Sequence, residues 1–435
     1  VDGSANSNDL GGRRGADHAV SPPDAVVIGG GVAGAASACA LAAAGLRTTL
    51  FEARADDPAR RIKCCGHCLH GRAVRPLARL GLLETVLGVA HGRTRTLRLE
   101  HPPGEALSIG SGHGAVVTHG SSAEFADEAP DGTGDGTGEG TGEGFIVRRD
   151  ELDPALRRAA IARGVRVISA VARYCADDGS VRWTEAGDRT ADERGMRPAI
   201  VVGADGISSR VARDAGLVET RGQGRRYGVA FDIPRSTPGA ESLCGEGEIR
   251  MIVAPRGYLG LVRERNVVHA GMLLDAGVVA RDALAWFVAR DPSLAPLVAD
   301  PAPLLQAGGA GPIPFRVRRA ACGNLVLVGD AAGYVEPFTG EGMTWALESA
   351  AALADALDAV RADARGPWTE EAIARVPTIY ERMRARSLDR TTLRCRTIAW
   401  VVARPRLVGL ALRGASLVGR IVPDVPRRLA QGVIG

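Results

Sequence analysis

The most constraining stretch of this chain is a strand, a glycine turn, a helix and a second strand ending in an acid. Asp24 to Ile28 (Asp-Ala-Val-Val-Ile) is a short apolar run, the pattern of a strand buried on both faces. Gly29-Gly30-Gly31-Val32-Ala33-Gly34 follows, and small residues from Ala35 to Ala44 continue it as a helix. Leu46 to Phe51 reads as the next strand, closed by Glu52, 23 positions after Gly29. In this order the segments form a dinucleotide fingerprint. Gly29 makes the turn, Gly31 lets a pyrophosphate approach, Gly34 lets helix and strand pack, and Glu52 would hold a ribose through its hydroxyls.

A second platform lies late in the chain. Asn324 to Val328 is another apolar run, ending in Gly329-Asp330-Ala331-Ala332-Gly333. The chain then passes Pro337-Phe338-Thr339 and Gly340-Glu341-Gly342, and a helix starts at about Met343. Asp330, at a strand's carboxyl end, would accept bonds from sugar-type hydroxyls. Gly340 and Gly342 lack a Cβ, so a flat ring can approach the backbone. The helix start directs free N–H groups at that ring and favours an acceptor that gains negative charge, such as a reduced flavin. A third strand-to-acidic-turn unit, Ala199 to Gly206, carries Asp205 and Gly206.

Between these units, Tyr227 to Leu274 alternates with period two between glycine and proline turns and reads as an inserted antiparallel sheet. The expected fold is α/β, with a discontinuous Rossmann-like domain (24–110, 145–215, 312–365), a β-sheet substrate domain (216–311) and a C-terminal helical region (366–435). Residues 1–23 read as a disordered leader lacking a secretory apolar core. Residues 111–144, with acids at 131, 135, 139 and 143 among glycines, read as a flexible insertion and match no calcium loop.

Composition narrows the function. At a net charge of +4 and 4% aromatics, nothing suggests nucleic-acid binding. No run is long and apolar enough to span a membrane, and eight cysteines in 435 residues make no disulfide scaffold. The expectation is a cytoplasmic protein. Its tail (399–422), with Arg406, Arg413 and Arg420 on one helical face, would either dock on a membrane surface or pack over the substrate domain. Lys63 is the one lysine in the chain, and it opens Lys63-Cys64-Cys65-Gly66-His67-Cys68-Leu69-His70. Three readings of this segment stand. Cys65, Cys68 and His70 could ligate zinc, although no second ligand pair follows. Cys65 and Cys68 could form a redox disulfide. Alternatively, Cys65 lies beside the cofactor, with Lys63 lowering its pKa or binding an anion.

These motifs resemble the flavoproteins of the para-hydroxybenzoate hydroxylase fold. Asp205-Gly206 looks like that group's DG motif. Gly329-Asp330 looks like its GD motif, whose aspartate meets the ribityl chain of FAD. Arg149, in an Arg-x-x-Leu-Asp context, matches the group's arginine at FAD, and Val171 falls where its backbone meets adenine. Within the group, Lys63-x-Cys65-Gly66 is similar to the Lys-x-Cys-Gly motif of the geranylgeranyl reductase family, whose cysteine sits close to the flavin. His67 and Cys68 depart from that pattern, and the family's Tyr-x-Trp-x-Phe-Pro signature is absent. The flavin halogenase pattern Trp-x-Trp-x-Ile-Pro is absent too.

The resemblance implies an FAD-dependent oxidoreductase that takes hydride from NADPH or NADH, binding transiently, and reduces a C=C bond of an apolar, polyprenyl-like substrate. Cys65 and Lys63 would border the reacting face. The cofactor residues would be Gly29, Gly31, Ala33, Gly34, Glu52, Arg149, Val171, Asp205, Gly206, Gly329, Asp330, Gly340, Gly342 and Met343, with no metal. A monooxygenase acting on an aromatic or polyketide-like compound is the alternative, and a non-enzymatic prenyl-protein escort the remote one.

Overall fold

In the computed structural model of the protein, residues 24–54, 63–101, 105–110, 116–119, 143–185, 193–219, 225–336, 338, 340–364, 366–402 and 404 are described. The leader, most of the 111–144 insertion and the tail arginines 406, 413 and 420 lie outside them.

Short runs of Val, Ile and Leu with no polar face can only sit in the middle of a covered sheet. They do so here. A six-stranded sheet runs in the order Ala321–Cys322, Leu325–Leu327, Ile200–Gly203, Ala25–Ile28, Thr48–Phe51, Arg166–Ile168. Its pairings are parallel except at the short Ala321–Cys322 edge. The helix Val32–Ala43 is almost wholly buried, because its alanines let the sheet and the helix Gly342–Ala364 close on it from both sides. The helix Glu370–Val402 covers this layer in turn, and the buried Tyr380 hydroxyl donates to the Leu327 carbonyl at 2.7 Å.

The second sheet has eight strands in the order Gly308–Ile313, Arg226–Pro234, Val267–Asp275, Gly257–Arg263, Glu248–Ala254, Thr96–His101, Glu105–Gly110, Val116–His119. It is antiparallel except where Glu248–Ala254 runs parallel to Thr96–His101. The segments 96–110 and 116–119, grouped from the sequence with the cofactor domain and the insertion, therefore extend the substrate sheet. Their partner strand lies about 150 residues away, a pairing that no local pattern encodes.

One face of this sheet packs Phe231, Ile233, Leu259, Leu261 and Met272 against the helix Ala280–Val288 and the turn Pro292–Leu297. Alternation along the strands turns the other face toward the cofactor motifs.

Candidate functional site

The dinucleotide turn is built as its glycines require. Gly29 has φ +106°, and a Cβ there would stand 2.4 Å from the Ala204 carbonyl oxygen. A Cβ on Gly34 would stand 1.8 Å from the Gly29 carbonyl oxygen, so this crossing admits only glycine. Gly31, extended and without a side-chain cap, starts the helix Val32–Ala43, whose first N–H groups have no side-chain acceptor. Glu52 accepts from the Gly30 N–H at 2.7 Å, which ties the end of the second strand to the glycine turn.

The three distant motifs converge on one cavity of about 330 Å³. Its cofactor side is lined by Gly31, Val32 and Ala33, by Ala204 and Gly206, by Arg149, and by Asp330, Gly340, Gly342 and Met343. Arg149 is fixed by a two-point bond to Asp153, at 2.7 and 3.1 Å. The fully buried Asp153 also accepts from Lys63 Nζ at 2.5 Å. Burial opposes its ionisation, but Arg149 and Lys63 prevail and hold the carboxyl at about 2. Asp330 behaves in the opposite way: desolvation by the surrounding protein pushes it up to about 6, against the pull of Arg149.

Other expected residues stand outside the cavity. Asp205 accepts from the Ser209 hydroxyl at 2.5 Å and from the Arg210 and Val211 N–H groups at 2.7 and 3.0 Å, so it caps the short helix after it. Val171 is 51% exposed, on a three-stranded sheet formed with Ser180–Glu185 and Arg194–Met196. Lys63 is engaged by Asp153. Gly340 and Gly342 do line the cavity, but the space that a Cβ on Gly342 would take is held by the Tyr334 ring at 3.2 Å rather than left for a ligand ring, and Gly340 supplies a left-handed φ of +68°.

The opposite wall is the inner face of the eight-stranded sheet, arranged in three rows across paired strands. The central row is Met251, Gly260, Gly271 and Ala230; the Met251 side chain covers Gly260, and side chains almost vanish toward Gly271 and Ala230. Val253, Tyr258, Leu273 and Gly228 flank it on one side, and Ile249, Val262, His269 and Asp232 on the other. A Cβ on Gly271 would meet nothing within 4 Å. The result is a trough whose floor is small at Gly271 and Ala230 and whose sides are mostly apolar, with His269 and Asp232 at one edge, closed further by Leu97, Ile313 and Phe338.

Cys64, Cys65 and Cys68 all border this cavity, and none of the three is in a disulfide. Cys68 Sγ donates to the Gly66 carbonyl at 3.1 Å, and His70 Nδ1 accepts from the Arg72 N–H at 3.1 Å. The zinc reading of Cys65, Cys68 and His70 finds no ligand cluster. Among the described residues, the trio of such groups within 4.8 Å of one another is His67, Glu264 and His269. These are tied instead into an ion network. Arg148 donates to Asp232 at 3.1 Å and Glu264 at 3.0 Å, while His67 meets Glu264 and His269 meets Asp232, each at 2.6 Å. Sequence reading missed this network, because residues as far apart as 67 and 269 carry no shared local signal.

A cradle of bare backbone, an uncapped helix start, a fixed arginine and a carboxylate, drawn from segments as distant as Gly31 and Met343, fits a dinucleotide bearing a flat ring. Comparison with known proteins agrees. The family described as FAD binding domain matches residues 23–266. The chain belongs to this family. It is an FAD-dependent oxidoreductase with the α/β architecture of the para-hydroxybenzoate hydroxylase fold. A rice geranylgeranyl diphosphate reductase is 27% identical over 82% of this chain and 71% of the relative. A menaquinone reductase of Mycobacterium tuberculosis is 30% identical over 77% and 76%. In fold, the chain matches a probable FAD-dependent monooxygenase from Pseudomonas aeruginosa with a TM-score of 0.60, at 20% identity over 88% of this chain and 98% of that one. Among the described residues, no helix is long and apolar enough to cross a membrane.

Proposed function

We propose that this flavoprotein takes hydride from NADPH or NADH and reduces a C=C bond of an apolar, polyprenyl-like substrate. The observation that carries the reading is the trough. Its walls offer Leu273 and Val262, Met251 covers Gly260 at one end of its centre, and the centre is open at Gly271. A long hydrocarbon fits such a groove, since burying apolar surface is its main source of affinity. The names of the rice and mycobacterial relatives, a geranylgeranyl diphosphate reductase and a menaquinone reductase, support the same class of substrate.

Bound FAD supplies the hydride-carrying ring. The chain's own residues hold and shield it. Asp330 and Arg149 would hold the cofactor, and the N–H groups at the start of Gly342–Ala364 would favour the negative charge of its reduced form. The apolar sheet face excludes water from the reacting bond. Cys65 borders the reacting face, and Lys63 supports it by holding Asp153 and, through it, Arg149.

The test is the product. With NADPH and a polyprenyl substrate, the account expects a gain of two hydrogens by mass spectrometry, and a Cys65→Ala variant that retains FAD but turns over more slowly. Substrate-dependent oxygen uptake with a gain of one oxygen atom would make the protein a monooxygenase instead. Unchanged turnover in the variant would remove Cys65 from the site.

A further inference from the structure

The loop from Lys63 to His70 is held between the substrate sheet, which its residues 64, 65 and 67 touch, and the strand Gly144–Val147, which lies in a separate three-stranded sheet. Cys64 Sγ lies over Gly228, where an added Cβ would approach it to 2.6 Å. His269 Nε2 meets the Cys65 carbonyl at 2.5 Å, and the His67 carbonyl accepts from the Val147 N–H at 2.8 Å. The rings of His67 and His269 stack, with centroids 3.7 Å apart and planes at 22°. Both are buried, 2% and 1% exposed.

The partners of His269 dictate its protonation. A backbone carbonyl can only accept, so Nε2 must donate. Asp232, held at about 2 by His269 and Arg148 against the cost of burial, is ionised and also only accepts. Nδ1 must therefore donate too, and the ring carries both protons. His67 differs. Burial, reinforced by the neighbouring His269 charge, pushes it down to about 4, so a neutral ring stacks on a charged one.

We propose that His269 is a positioning residue: as an imidazolium braced by Asp232, it clamps the Cys65 carbonyl and sets Cys65 at the edge of the apolar trough. The use of that position in turnover rests on the reductase reading, but the clamp does not. Four charged or titratable groups face His269 besides Cys65. They are His67 from the loop, Asp232 from the strand Arg226–Pro234, Glu264 after Gly257–Arg263, and Arg148 ahead of Arg149–Ala162.

The test uses the FAD-loaded protein with 15N-labelled histidine, together with iodoacetamide labelling of Cys65 followed by peptide mass mapping. Wild type should show both His269 nitrogens protonated at neutral pH. His269→Leu, which has no donor, loses the charge-assisted bond that holds the loop closed and should label Cys65 on the order of tenfold faster. His269→Gln, which keeps a donor of similar reach, should label near the wild-type rate. Asp232→Asn, which removes the carboxylate that Nδ1 donates to, should also label Cys65 faster than the wild type. A singly protonated His269 at neutral pH would overturn the proposal, as would equal labelling of the Leu and Gln variants. If His269→Leu does not fold, the nitrogen spectrum and Asp232→Asn still decide. Labelling needs no substrate, so these outcomes stand apart from any failure of the reductase reading.

Discussion

Asp330 should make FAD binding dependent on pH. Its carboxyl sits in a cavity wall that raises it from 3.8 to about 6, chiefly by desolvation, with Arg149 pulling the other way. The resemblance assigns this aspartate to the ribityl hydroxyls, which need an ionised acceptor. FAD-free protein therefore holds a proton below about pH 6 that it must lose when FAD binds. Each pH unit below that point costs a factor of ten in affinity, so from pH 7 to pH 5 the apparent Kd should rise roughly tenfold. The sign for stability follows from the same shift. The folded, FAD-free protein keeps this proton up to a higher pH than the unfolded chain, so it gains stability as pH falls from about 6 toward 4. Quenching of FAD fluorescence on binding, followed at pH 5, 6 and 7, gives the Kd series. Asp330→Asn should bind more weakly at pH 7 and lose the dependence. A flat wild-type series, or a slope that survives in Asp330→Asn, would refute the reasoning.

Other consequences can be measured as directly. Asp153 is held at about 2 against an ordinary 3.8, which corresponds to about 2 kcal/mol of stability. That contribution is present above pH 4 and lost as pH falls through 2, so urea unfolding of the wild type should weaken across that window by about 2 kcal/mol more than that of Asp153→Asn, the remaining loss coming from other lowered carboxylates such as Asp232. Gly34→Ala places a methyl 1.8 Å from the Gly29 carbonyl oxygen and should yield protein with little or no FAD, seen in the ratio of flavin to protein absorbance. Gly271→Leu enters open space, so it should fold and retain FAD. It should nevertheless cut kcat/KM for a long substrate by about tenfold or more, with a short analogue affected less.

The parts of this protein legible in its sequence were those whose signal is local. The runs Asp24–Ile28 and Asn324–Val328 declare buried strands by composition, and the glycines after them declare a turn that only glycine can make. Asp153 was visible only as context for Arg149, since a chain pattern cannot say which cation a buried acid will meet. Asp205 matched a cofactor motif, but its position just before Ser209 made it a helix cap. The strand Thr96–His101 was misgrouped because parallel pairing with Glu248–Ala254 is settled by closure of the whole fold. The His67–His269 stack was invisible for the same reason, since each histidine alone looks like any other.

The most direct test of the central claim is an oxygen-free half-reaction. The flavin is reduced with NADPH, a prenyl lipid or prenyl diphosphate is added under anaerobic conditions, and flavin absorbance is followed. The account predicts reoxidation at a rate that depends on the substrate and on Cys65, with a saturated product. Flavin that stays reduced until oxygen is admitted would contradict it.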